Sequence, residues 1–256
     1  MKKIYFDYNV ISYLRSGQDE LLNKKYESIA ADNMIVFSPA HLEDIAVSAM
    51  RDNVEKQIIF EEIEFLSKIA KRNALRPVTR DNVVIYDESP QDCYTRVIQH
   101  YANNDWAEKV ERDIIRDANV NPAGSPREMN NISPEDILNH IVYRELIAVW
   151  LSNEGIINTD ERIASLRWTF ADIKNRFSVF EAYVNLTANL LEKIGYYREK
   201  EDKSRSRLHD VSHIIYGAYS DLFVSADKKI IKKAKAIFSM LEVPTMALSL
   251  NEFHSY

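Results

Sequence analysis

The feature that most constrains this chain is an alternation present at both ends and missing from the middle. Residues 3–7, Lys-Ile-Tyr-Phe-Asp, form a short apolar run that reads as a buried strand closed by a carboxylate. "NMIVFS" (33–38) reads as a second strand. "SPAHLEDIAVSAM" then opens a helix, with Ser38 as a favourable N-cap and Pro39 at the first helical position. Towards the C-terminus the pattern returns. "LHDVSHIIYGAYS" has Leu208, Val211, Ile215 and Ala218 at helical spacing, and "DLFVSAD" is a strand ending in a polar turn. "KKIIKKAKAIFSML" is a basic amphipathic helix, and "PTMALSL" a last strand. Alternating strands and helices predict an α/β fold with a central parallel sheet flanked by helices.

The middle reads differently. "EKQIIFEEIEFLSKIAKR" gathers Ile58, Ile59, Ile63, Leu66 and Ile69 near one face, a helical signature. Ser133, Pro134 and Glu135 mark a helix start, and the stretch from Asp160 to Gly195 reads as one long helix or two. "NVNPAGSPREMNN" (119–131) is the loop or lid candidate. One strand, "NVVIYD" (82–87), interrupts the helices. The expectation is a discontinuous α/β domain, residues 1–50 and 205–256, enclosing a large all-helical insertion over 51–204.

Bulk properties narrow the function. With 46% hydrophobic residues in 256, the chain has enough apolar material for a proper core. Its single cysteine, Cys93, excludes a disulfide framework and a Cys-rich zinc site. Asp7 breaks the N-terminal apolar run too early for a secretory signal, and no apolar stretch is long enough to span a bilayer, so a cytoplasmic location without membrane contact is expected. A net charge of −6 argues against a protein that coats nucleic acid non-specifically. It leaves room for a nucleic-acid enzyme whose metal site is itself acidic.

The acids fall at telling places. Asp7 ends the first strand, Glu43 lies in the first turns of the helix after the second, Asp210 precedes "DLFVS" on its helix, and Asp227 follows that strand. In a parallel sheet these positions converge on the carboxyl ends of the strands, where ligands bind. Clustered carboxylates repel, and the natural remedy is a hard divalent cation such as Mg²⁺ or Mn²⁺. Each acid also has an ordinary use: Asp7 and Asp227 as helix caps, Glu43 as a favourable charge near a helix start. Asp44 is the alternative to Glu43.

Three motifs together resemble the PIN-domain family of metal-dependent nucleases: "YFDYNVIS", "SPAHLEDI" and "LHDVSHIIYGAYSDLFVSAD". The resemblance covers the two ends and leaves the middle without a family role. It implies that Asp7, Glu43, Asp210 and Asp227 form an acidic quartet holding Mg²⁺ or Mn²⁺, with Asn9 and Ser225 in support. It implies hydrolysis of RNA phosphodiester bonds, a toxin or defence role, and as partners RNA, an antitoxin or other protein, or a second copy of the chain. Candidate contacts to the phosphate backbone are Arg198, Lys203, Arg205, Arg207 and Lys228. His209 and His213, four apart on a helix, lack a third ligand and read as polar helix residues. Two rival functions stand beside the nuclease. One is a binding module acting through the helical middle. The other is a haloacid-dehalogenase-type phosphatase, disfavoured because Asn9 stands where a second acid is needed.

Overall fold

The computed structural model describes residues 1–51, 55–79, 81–101, 105–153 and 168–256. Among them the strands are β1 (Lys3–Phe6), β2 (Met34–Val36), β3 (Asn73–Val78), β4 (Asn82–Asp87), β5 (Leu222–Ser225) and β6 (Met246–Ser249). Four of these build one parallel sheet in the order β2-β1-β5-β6. The α/β class and the parallel sheet are as the two ends of the sequence predict.

Strand alternation divides the core into two layers. Tyr5, Val36, Phe223 and Ala247 point to one face, towards the Phe177–Ile194, Ser204–Gly217 and Lys228–Met240 helices. Ile4, Phe6, Ile35, Leu222, Val224 and Leu248 point to the other, towards the Tyr8–Ser16, Pro39–Arg51 and Lys56–Ala70 helices. Both faces of the four-stranded sheet are therefore covered by apolar packing, which is why these runs are continuous rather than alternating. Gly217 lets its helix approach β5: a Cβ there would lie 2.8 Å from the Phe223 ring.

The middle of the chain is not all helical. β3 and β4 form an antiparallel hairpin, and its first strand docks beside the end of β2. Phe37 N–H donates to Asn73 O at 3.1 Å, and Leu75 N–H donates to Phe37 O at 2.6 Å. The hairpin also continues the two-layer pattern, with Leu75 in one layer and Ala74 in the other. β3 escapes sequence reading because "NALRPV" carries Pro77 and an Arg, and lacks a clean alternation. Phe170, Phe180, Val184 and Leu191 share a cluster with Tyr5 and Phe223, so the middle segment helps build the core under the sheet. Each such buried side chain contributes about 1.5–3 kcal/mol, enough to fasten the segment firmly to the sheet.

Other boundaries shift locally. The Ser133 start is present as a turn, with Asp136 N–H donating to Ser133 Oγ at 3.2 Å, but it leads into one 3-10 turn; the α-helix begins only at Ile141. The 119–131 loop holds one helical turn, Pro126–Met129. The Phe177–Ile194 helix stops where predicted, at Gly195, which takes a left-handed φ of 92°. Residues 160–167 of the expected long helix lie outside the described residues. No helix among the described residues is long and apolar enough to cross a membrane.

Candidate active-site cleft

β1 leads through its helices to β2 on one side, and β5 leads to β6 on the other. The crevice between β1 and β5 is thus the switch point of the sheet, and its carboxyl end is the expected place for a ligand. A cleft of about 290 Å³ opens there, walled by Asp7, Asn9, Asp44, Asp210, His209 and His213, with Tyr8, Lys203 and Ile230 among the other lining residues.

Asp7 is 1% exposed and does two jobs. It caps the Tyr8–Ser16 helix, accepting from Val10 N–H at 2.9 Å through Oδ1. Its Oδ2 accepts from the Ser225 hydroxyl, and Ser225 Oγ accepts in turn from Asp227 N–H at 3.0 Å. Burial pushes the Asp7 carboxyl up to about 6, although His213, Ser225 and the Val10 amide all favour the anion. Asn9 is exposed in the first helical turn.

On the Pro39–Arg51 helix it is Asp44, not Glu43, that lines the cleft. Consecutive helical residues point about 100° apart, and that rotation turns Glu43 towards His209 instead. Glu43 lies against His209, its Oε2 3.6 Å from Nδ1. Asp44 accepts from His213 Nε2 at 2.8 Å. Burial opposes the Asp44 anion, but the His213 hydrogen bond and the surrounding imidazoles outweigh it and hold the carboxyl below its ordinary value. For His209 burial opposes the charged ring, and Glu43 and Asp44 overcome it, raising the imidazole above its ordinary value.

Asp210 is partly buried, and among the described residues no hydrogen bond or ion pair reaches its carboxyl. Burial, then the nearby Asp227, push it well above the usual carboxylate range; Lys233 offsets only part of this. Asp227 stands outside the cleft wall as the cap of the Lys228–Met240 helix, accepting from Lys229 N–H at 2.6 Å and Ile230 N–H at 3.3 Å. Asp7, Asp44 and Asp210 therefore line the cleft, and Glu43 and Asp227 do not.

The basic candidates separate. Lys203 is exposed at the rim of the cleft, and Lys228 is exposed with its ammonium 5.9 Å from the Tyr197 ring centre. Arg207 is a correction: only 1% exposed, its guanidinium pairs with Glu111 and, at 3.2 Å, with Glu192, so it holds helices together and cannot meet a phosphate backbone. Arg198 donates to Glu192 O at 2.9 Å and Lys193 O at 3.3 Å, closing the end of the Phe177–Ile194 helix. The side chain of Arg205 lies outside the described residues.

Sequence reading also passed over a buried group behind Asp44. Tyr5 Oη lies 2.7 Å from both His213 Nδ1 and Ser38 Oγ. The Ser38 hydroxyl thus serves Tyr5, while the start of its helix is closed by His41, whose Nδ1 accepts from Ser38 N–H at 3.2 Å. With Nδ1 accepting, His41 Nε2 donates to Phe6 O at 2.7 Å. Burial, then His213, lower this imidazole to about 3, consistent with a neutral ring. A signal for His213 did exist: it lies three residues after Asp210, on the same helical face.

The donors fit a hard divalent cation by chemistry, being carboxyl and amide oxygens, and Lys233 compensates the Asp210 acid only in part. Among the described residues no three His, Cys, Asp or Glu side chains are already drawn together as a ligand group. Comparisons with protein-family models, with curated proteins and with solved structures find no match for this chain.

Proposed function

We propose that this protein is a metal-dependent ribonuclease of the PIN type, working in the cleft between β1 and β5. The observation that carries the reading is the convergence of Asp7, Asp44 and Asp210 at the carboxyl ends of those strands, with Asp210 only partly compensated. Strongly perturbed acids in a cleft are the mark of a functional site. Asp44 takes the place in the acidic set that the motif gives to Glu43, while Asp227 acts at one remove, on Asp210.

Asp7, Asp44 and Asp210, with the Asn9 amide oxygen, would hold Mg²⁺ or Mn²⁺. When bound, the metal supplies a Lewis acid and lowers the pKa of water. The rest belongs to the chain. Val10 N–H and the Ser225 hydroxyl fix the Asp7 carboxylate, and His213 fixes Asp44. Lys203 at the rim offers a cation to a phosphate, which favours an anionic substrate in an otherwise acidic cleft. In the reaction, water adds to phosphorus, the phosphorus–oxygen bond to the leaving group breaks, and the departing oxygen takes a proton. The choice of RNA, and a toxin or defence role, rest on the family resemblance alone.

The test uses end-labelled RNA with Mn²⁺ or with EDTA, and titration calorimetry with Mn²⁺. Wild type should cut RNA only with metal, and Asp44→Asn and Asp210→Asn should each lose at least a hundredfold in rate. Folded wild type that neither binds Mn²⁺ nor cleaves RNA would sink the reading and turn attention to a binding role.

A further inference from the structure

Asp44 is held from behind by residues drawn from three different elements. Tyr5 comes from β1, Ser38 follows β2, and His213 sits on the Ser204–Gly217 helix. Tyr5 is fully buried, Ser38 is 0% exposed and His213 2%, so none of the three is a surface group. Their hydrogen bonds run in series. His213 Nε2 donates to Asp44 Oδ2 at 2.8 Å, and His213 Nδ1 lies 2.7 Å from Tyr5 Oη. On its other side Tyr5 Oη lies 2.7 Å from Ser38 Oγ. The chain of contacts runs unbroken from Ser38 through Tyr5 and His213 to Asp44 at the cleft.

The ring of His213 is also confined by packing. Its centre lies 4.9 Å from His41, edge to face, and 5.7 Å from Tyr5. Tyr5 in turn packs at 4.8 Å on His41 and 5.8 Å on Phe223. His41 cannot turn easily, because Ser38 N–H and Phe6 O occupy its two nitrogens. A buried tyrosine hydroxyl is costly unless satisfied, and this one spends both contacts on aiming an imidazole at a carboxylate.

We propose that the Tyr5–His213 pair is the positioning device of the cleft: it fixes the rotamer of Asp44, and so sets the affinity of the cleft for a divalent cation. The proposal rests on the metal-dependent reading above and adds residues that touch neither metal nor substrate. Outer partners that orient a ligating carboxylate or imidazole typically change metal affinity 10- to 100-fold.

The experiment is Mn²⁺ titration calorimetry on wild type, Tyr5→Phe, His213→Gln and His213→Phe, each with its thermal midpoint. His213→Gln keeps an N–H for Asp44 and loses the rigid ring that joins it to Tyr5; His213→Phe loses both hydrogen bonds. His213→Phe should weaken Mn²⁺ binding at least tenfold, Tyr5→Phe by less, and His213→Gln should stay within about threefold of wild type. A purely structural role predicts lower midpoints with unchanged affinity in every variant that folds, and that result overturns the proposal. Should His213→Phe fail to fold, Tyr5→Phe against wild type still decides, because it removes one atom. Nitrogen-15 shifts of His213 give a readout without metal: Nε2 protonated in wild type, with a change of tautomer population in Tyr5→Phe. Unchanged tautomers in Tyr5→Phe also overturn the positioning role. If wild type binds no Mn²⁺ while the shifts behave as expected, it is the metal reading that fails.

Discussion

Two buried polar groups of this protein solve the same problem in opposite ways. Beneath the sheet, Glu192 is 0% exposed, and around it stand Arg207 and Lys233, at 1% and 5%. Arg207 pairs with Glu192 and Glu111, Lys233 pairs with Glu192, and Glu199 N–H donates to Glu192 Oε2 at 2.8 Å. Burial works against the Glu192 anion, yet the two cations and the amide hold its carboxyl below the ordinary value. In the cleft, Asp7 and Asp210 are raised instead, because burial there is met by too few cations. A fully paired buried acid serves to hold helices together; an acid kept unpaired beside a cleft is available to a ligand.

The contrast can be broken from its strong side first. Glu192→Ala removes the carboxylate that the buried Arg207 and Lys233 share, and should cost about 3–5 kcal/mol in urea unfolding. A loss below 1 kcal/mol would mean that this network is solvated and the contrast false. Next comes pH. Asp7 has a folded-state value of about 6, above its ordinary 3.8. The folded form therefore binds the proton more tightly, and the stability from this group is full below pH 4 and lost as pH rises to about 6. The loss is on the order of 3 kcal/mol. His41, lowered to about 3, acts with the opposite sign, since the unfolded chain takes up its proton first as pH falls below about 6.5. The clean measurement is wild type minus Asp7→Asn across pH 4–7; a flat difference would refute the burial argument for Asp7.

Smaller effects sharpen the comparison. Asp210→Asn removes a repelled carboxylate and should raise the stability of the metal-free protein while abolishing Mn²⁺ binding, a reversal of sign relative to Glu192→Ala. A destabilised Asp210→Asn protein would place Asp210 among the structural acids. Lys203→Ala, at an exposed rim position, should leave stability within about 0.5 kcal/mol. Its effect should appear only with RNA, as weaker binding with a salt dependence reduced by about one phosphate contact. An unchanged salt slope would move the substrate path away from Lys203.

Much of the frame was legible because it is written in local pattern. The apolar runs at 3–6, 34–36, 222–225 and 246–249 are strands whose both faces are buried, and continuous apolarity announces that. Pro39 after Ser38, Asp7 after β1 and Gly195 at a helix end follow from backbone chemistry that needs no distant partner. Asp7 and Asp210 could be placed near one another because the carboxyl ends of a parallel sheet converge.

What the chain alone left open depends on helix phase and long-range pairing. Whether Glu43 or Asp44 enters the cleft is a rotation of the helix about its axis, set by how Leu42, Ile45 and Ala46 seat against the sheet. Arg207 reads as one more cation in a charged run, and only the arrival of Glu111 and Glu192 from distant helices turns it inward. β3 becomes a strand because β4 and the end of β2 flank it. Local sequence determined which elements form and where they stop, since those terms act within a few residues. The tertiary structure decided which faces meet, and so which acids are paired and which are left for a ligand, because compensation of a buried charge comes from whatever side chain is next to it in space.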